Sequence, residues 1–278
     1  GAELKVFYFH AELPTLMNQI INYKQTKVNF SDEGKGGAVV LLHGFLENMT
    51  IWGPISPVLS KKNRVISIDL FGHGKTENHG YVHSMEDQAR MVRAVLNHLK
   101  LRKCVIVGHS MGGYVALSFA KLFPDKLKGI CLMNSTALAD TMEKKINRER
   151  GITAVKRNSK TFVRIAIPLL FSEENRMKLK SEIDKIIMEA LQISPQSIVA
   201  ALKGMKIRED STAIYKTANF PMLLIVGKND SALNYESLIE EVRGTKVDLV
   251  EFPDGHMSYL ENKMAVLKTL GTFIKRCN

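Results

Sequence analysis

Ser110 stands in Gly108-His109-Ser110-Met111-Gly112, a G-x-S-x-G run directly after an apolar stretch and directly before an apolar-faced helical one. A chain that turns from strand to helix in so few residues crowds the backbone at the serine, and glycines two before and two after relieve that crowding. Ser110 Oγ is then expected above the carboxyl end of a sheet, where open α/β sheets hold their ligands. A serine hydroxyl attacks poorly unless a base takes its proton and a third group orients the base. Of the eight histidines, His256 is best placed, in Pro253-Asp254-Gly255-His256, after the last strand pattern and before the terminal helix. Asp230, in Gly227-Lys228-Asn229-Asp230, follows the Met222–Val226 strand pattern at the same edge of the sheet. Asp254 is a rival acid, but it lies two positions from His256, too near in the chain to reach the far side of that ring. The spacing points to Ser110 as nucleophile, His256 as its base through Nε2, and Asp230 as the group that holds Nδ1.

Acyl transfer also needs donors aimed at the developing oxyanion, in general two backbone N–H groups. Met111 N–H opens the helix after Ser110, where unpaired N–H groups and the helix dipole favour negative charge. The second donor is expected from Phe45 N–H in His43-Gly44-Phe45, with Gly44 allowing close approach of that backbone. Gly74-Lys75-Thr76 resembles the end of a phosphate-binding loop, but that pattern needs glycine where Asp69 stands. His43 and His73 come without an H-E-x-x-H run or a carboxylate cluster, so neither a metal nor a cofactor is expected.

These residues must be held by a sheet, and the chain is patterned for one. Short apolar runs at Val39–Leu42, Val65–Ile68, Cys104–Val107 and Gly129–Met133 alternate with helical patterns over about Ser84–Leu99 and Gly112–Phe123. Such a βαβαβ series indicates a mostly parallel sheet with crossover helices. Upstream, Ile21, Tyr23, Val28 and Phe30 alternate with polar residues, which predicts an antiparallel edge hairpin with Asp32–Gly37 as a turn. From Ala137 to about Asn219 helical patterns replace strands, including one helix over Glu173–Leu191, and this block reads as an inserted helical cap. Strands return at Met222–Val226 and Val247–Phe252, followed by a helix over Lys263–Lys275. The expected division is a core of residues 18–136 and 220–278, a cap of residues 137–219, and an N-terminal extension of residues 1–17 of uncertain origin.

The 278 residues are 45% hydrophobic and 24% charged, within the range of ordinary globular proteins. The longest apolar runs fall well short of the roughly 20 residues that span a bilayer. The net charge of +11 raises the question of a polyanion partner. The 77 residues from Asp140 to Lys216 hold 16 Lys and Arg against 10 Asp and Glu, so basic and acidic residues are interleaved and a solvated basic surface is expected instead of a nucleic-acid site. Cys104, Cys131 and Cys277 form no C-x-x-C, and the N-terminal residues lack a signal-peptide core, so a reducing, cytoplasmic location is expected.

His43-Gly44-Phe45, the turn Asp69 to Gly74, the elbow Gly108 to Gly113, Gly227 to Asp230 and Gly255-His256 occur in one order, and together they resemble the α/β-hydrolase family in its serine-nucleophile, carboxylesterase-like form with a helical cap. The resemblance covers roughly Asn18 to the C-terminus. It implies an eight-stranded, mostly parallel sheet with helices on both faces, the cap inserted after the Gly129–Met133 strand, and a pocket between core and cap. It also implies hydrolysis of small to medium carboxylic esters through an acyl-enzyme on Ser110. Phe45, Met49, Trp52, Phe162, Ile167, Leu170 and Phe171 are candidates for an acyl cavity. The same family uses serine for carbon–carbon bond hydrolysis, lactonase, amidase, thioesterase and perhydrolase chemistry, and fold analogy does not choose among them. A slow-turnover ligand receptor is the alternative outside catalysis. A small-molecule ester is the expected partner, without nucleic acid or stable membrane insertion; the oligomeric state is left open.

Overall fold

The sheet begins with a hairpin in which β1 (Asn18–Tyr23) and β2 (Thr26–Gly34) pair antiparallel, Ile21 opposite Val28. Lys24 and Gln25 join them with φ of 46° and 66°, the paired left-handed conformation whose twist suits a two-residue hairpin loop. This computed structural model describes residues 18–278, and the extension expected over residues 1–17 lies outside the described residues. β2 then runs antiparallel to β4 (Asn63–Ile68) as far as Gly34, so the turn expected over Asp32–Gly37 shrinks to Lys35 and Gly36. Polar Asp32 stays in the strand because the Arg64 guanidinium donates to both its carboxylate oxygens, at 2.9 and 2.7 Å.

Between and beyond these come β3 (Gly37–Leu42), α1 (Ser56–Leu59), α2 (Met85–His98), β5 (Cys104–His109), α3 (Met111–Leu122) and β6 (Leu127–Met133). Five helices follow, α4 (Met142–Ala166), kinked at Asn158 where φ is −161° and ψ 92°, α5 (Glu173–Lys178), α6 (Lys180–Ala190), α7 (Pro195–Lys206) and α8 (Ala213–Thr217). The chain closes with β7 (Met222–Gly227), α9 (Tyr235–Val242), β8 (Asp248–Phe252), α10 (Ser258–Glu261) and α11 (Lys263–Cys277). The helix expected over Glu173–Leu191 is thus two, because Leu179 leaves helical geometry at φ −106°, ψ 24°. The bonds Leu179 N–H to Asn175 O and Ile183 N–H to Leu179 O, both 2.9 Å, continue through the break, so the apolar spacing persists across it.

The eight strands lie in the order β1-β2-β4-β3-β5-β6-β7-β8, parallel from β4 through β8. Val39 to Leu42 and Val105 to Val107 are fully buried, as central parallel strands covered on both faces must be. α3 is buried over Met111–Ala120 and its sequence is apolar nearly all round, which suits a helix packed inside the structure. From β3 the chain moves out to β4 on one side, then returns across to β5 on the other. At such a reversal the connections diverge and leave a crevice above the carboxyl ends of the strands. The loop after β3 carries Phe45, and the turn after β5 carries Ser110.

Candidate active site

Ser110 has φ 50° and ψ −115°, a left-handed conformation that costs about 1–3 kcal/mol for a residue with a side chain. The turn is tight enough that a Cβ on Gly112 would lie 2.3 Å from Leu42 O, and one on Gly108 2.4 Å from Gly112 O. Neighbouring strand ends hold it: Ser110 N–H donates to Met133 O at 2.9 Å, and the Ser135 hydroxyl donates to Ser110 O at 2.8 Å. The strain is therefore balanced by surrounding bonds, and the hydroxyl is left facing the crevice.

The structure brings all three spaced residues together. His256 Nε2 lies 2.8 Å from Ser110 Oγ, and His256 Nδ1 lies 2.7 Å from Asp230 Oδ2. Asp230 is fixed at its other oxygen, which accepts from Ala232 N–H at 2.8 Å and Leu233 N–H at 3.1 Å. With a carboxylate at Nδ1, that nitrogen carries the proton, and Nε2 is free to accept from the Ser110 hydroxyl. The His256 N–H donates to Leu170 O at 2.8 Å, so the helical segment after β6 steadies the base loop. Asp254 turns away and accepts from Asn262 Nδ2 at 2.9 Å and Asn175 Nδ2 at 3.4 Å.

Phe45 N–H and Met111 N–H, the expected oxyanion donors, have no hydrogen-bond acceptor among the described residues. The orientation of the first is set through its own peptide group. His43 Nδ1 lies 2.7 Å from Gly44 O, and because the peptide is planar and trans, pinning that carbonyl aims the Phe45 N–H the opposite way. His43 Nε2 accepts from Leu70 N–H at 2.9 Å, so the ring donates at one nitrogen, accepts at the other and is neutral. His73 repeats the arrangement, donating from Nδ1 to Phe71 O at 2.9 Å and accepting from Leu46 N–H at 3.3 Å. Burial pushes both rings down to about 4.

A stability prediction follows from those two rings. Unfolded histidine titrates near 6.5, so between about 6.5 and 4 the unfolded chain binds protons that the folded chain refuses. Stability from these rings is complete above that window and is lost as pH falls through it, by roughly 3 kcal/mol per ring. Urea midpoints measured across this range should fall steeply toward pH 4, and His43→Gln should flatten the slope. A midpoint independent of pH there contradicts the assignment.

Ser110 and His256 open into a cavity of about 590 Å³ lined by Phe45, Phe162 and Leu170 and, on its polar wall, by Tyr114, Arg148 and Arg208. Of the other residues considered for an acyl cavity, Met49, Trp52, Ile167 and Phe171 are buried in the core and do not line it. Trp52 packs instead against Tyr259, ring centroids 6.1 Å apart. The polar wall is built around buried Asp140, which accepts from Arg148 Nε at 2.9 Å and Arg208 Nη1 at 2.6 Å. Arg208 also stacks 3.9 Å above the Tyr114 ring. Sequence reading missed these three lining residues; the only signal was that Tyr114 lies one helical turn beyond Ser110.

Residues 37–263 match the family model described as the alpha/beta hydrolase fold. The chain belongs to the alpha/beta hydrolase family. Among solved structures, this hydrolase is similar to a thermophilic esterase from Thermogutta terrifontis, with malate bound: 30% identity, TM-score 0.84, covering 94% of this chain and 98% of that one. Among curated proteins, it is 27% identical over 88% of its length to a putative 2-succinyl-6-hydroxy-2,4-cyclohexadiene-1-carboxylate synthase from Bacillus subtilis, covering 93% of that protein. It is also 27% identical to the dihydrolipoyllysine-residue acetyltransferase component of an acetoin cleaving system from Pseudomonas putida, over 87% of this chain. The chain spans 65% of that last protein's length. Among the described residues no helix is long and apolar enough to cross a membrane.

Proposed function

We propose that this alpha/beta hydrolase is a serine esterase acting on carboxylic esters of small to medium acyl chain, with Ser110 as nucleophile, His256 as general base and acid, and Asp230 orienting the ring. The observation that carries the reading is the continuous chain of bonds from Ser110 Oγ to His256 Nε2 and from Nδ1 to Asp230, 2.8 and 2.7 Å, at a serine held in strained geometry over a cavity. As Oγ attacks the ester carbonyl carbon, its proton passes to His256 Nε2 and the carbonyl oxygen becomes an oxyanion facing the Phe45 and Met111 N–H groups. Collapse breaks the bond to the alcohol, which leaves with the proton from His256. Water then gives its proton to His256 and attacks the acyl-serine, and Ser110 departs reprotonated, releasing the acid. Residues 137–219 act as the cap over this pocket. The three free cysteines support the reducing, cytoplasmic location.

Similarity to the Thermogutta esterase across nearly the whole of both chains supports ester cleavage within the family's chemistry. A second reading, a substrate that itself carries a carboxylate, is favoured by Arg148 and Arg208 in the pocket wall; it would suit lactone or carbon–carbon bond hydrolysis as well. A cavity near 590 Å³ accommodates a small ligand better than a long acyl chain. Steady-state hydrolysis of p-nitrophenyl esters from acetate to palmitate should therefore be fastest among the short and medium chains and fall away by palmitate. A folded protein inert to the whole panel would remove the esterase reading and leave carbon–carbon hydrolysis or ligand sensing.

A further inference from the structure

Glu47 and His109 lie beneath Ser110 with side chains about 1% exposed, Oε2 to Nδ1 2.9 Å. The other ring nitrogen, Nε2, lies 2.9 Å from the backbone carbonyl of His256. A carbonyl can only accept, so His109 donates there from Nε2, and it donates to the Glu47 carboxylate from Nδ1. Only an imidazolium donates from both nitrogens. Glu47 in turn accepts from Gly44 N–H at 2.6 Å through Oε2 and from the Tyr259 hydroxyl at 3.0 Å through Oε1.

The buried pair therefore joins three parts of the site: Gly44 in the oxyanion loop, the elbow that carries His109 beside the nucleophile, and the backbone of His256. The packing leaves no slack. A Cβ on Gly44 would lie 2.8 Å from Glu47 Oε2, 2.9 Å from His109 Nδ1 and 3.2 Å from Ser110 Cβ. Burial acts against both charges, raising Glu47 and lowering His109, but their mutual attraction and hydrogen bonds outweigh it and keep the carboxyl low and the ring high. The other titratable groups facing the pair are His43, His73, Asp230, His256 and Tyr259.

We propose that Glu47 and His109 form one positioning unit, a buried ion pair that holds the oxyanion loop, the nucleophile elbow and the base loop in register. The proposal rests on the serine-hydrolase reading above and adds two residues that act through Gly44 and His256. Catalysis is sensitive to such placement, since a misplacement of about 1 Å at the reacting atoms costs about 100-fold in rate.

Wild-type protein labelled with 15N in its histidine rings gives the first test. At about pH 8 an ordinary imidazole carries one proton, whereas His109 is expected to show protons on both ring nitrogens. That pair of signals should vanish in His109→Gln and collapse to one ring N–H in Glu47→Gln. In ester turnover, each single variant should lower kcat by about 10- to 100-fold at nearly unchanged KM. The double variant should fall no further than the worse single one, because the two residues act as a unit. If neither charge variant folds, Tyr259→Phe, which removes one partner of Glu47, decides by its kcat, expected to fall several-fold. A singly protonated His109 in the wild type, or folded variants with wild-type kcat, overturns the proposal. Ser110→Ala in the same assays separates the two layers: undiminished turnover there removes the serine-hydrolase reading, while loss there with intact Glu47→Gln and His109→Gln rates removes the positioning unit alone.

Discussion

Ser110→Ala is expected to lower kcat for ester hydrolysis by about 10⁴- to 10⁶-fold without a comparable change in folding stability. The loss is large because no other hydroxyl near His256 Nε2 takes the place of Oγ among the described residues, and the remaining groups can only bind and polarise the ester. The stability change is small because Oγ makes one hydrogen bond, to His256, while the backbone bonds to Met133 and Ser135 persist and alanine keeps the same Cβ at φ 50°. Matched steady-state rates and urea midpoints for the two proteins check both halves. Residual turnover within tenfold of wild type would show that another group performs the attack.

Asp230→Asn should cost about 10⁴-fold in kcat at little change in KM, through the tautomer of His256. In the wild type one oxygen of Asp230 faces the His256 ring and the other accepts from Ala232 and Leu233 N–H. Asparagine must keep its oxygen toward those two N–H donors, since turning its NH₂ group onto them would set donor against donor. The NH₂ then faces His256 Nδ1, which becomes an acceptor, and the ring proton moves to Nε2. A protonated Nε2 cannot take the proton of Ser110. The check is kcat and KM for Asp230→Asn beside Asp254→Asn, which touches neither ring nitrogen of His256 and should stay near wild type. Equal losses in the two variants would contradict the assignment of Asp230.

The positions of the central strands and their parallel pairing were legible because buried parallel strands are continuous apolar runs, and Val39 to Leu42, Cys104 to Val107 and Met222 to Val226 have that composition. Ser110 and Asp230 follow such runs in short turns, and His256 lies in the loop after the edge strand Asp248–Phe252, so locating the strands nearly locates these candidates. Glu47 and His109 were not. Their pairing spans 62 positions, and the single hint was an acid among the apolar Phe45, Leu46, Met49, Ile51 and Trp52. The polar pocket wall escaped for the same reason: Asp140 joins Arg148 on α4 to Arg208 beyond α7, a contact that periodicity does not encode. Nor does apolar character distinguish a residue that lines a cavity, as Phe162 does, from one that packs beneath it, as Trp52 and Phe171 do. At Leu179 the hydrogen-bond ladder continues while φ and ψ leave the helical range, and sequence spacing follows the ladder.

The most direct test of a covalent serine mechanism is the mass of the intact protein quenched during turnover of a slowly deacylating p-nitrophenyl ester, with peptide mapping of the adduct. A single acyl group is expected on the peptide containing Ser110, absent from Ser110→Ala. Turnover with no adduct on that peptide, or an acyl group carried by another residue, would contradict it.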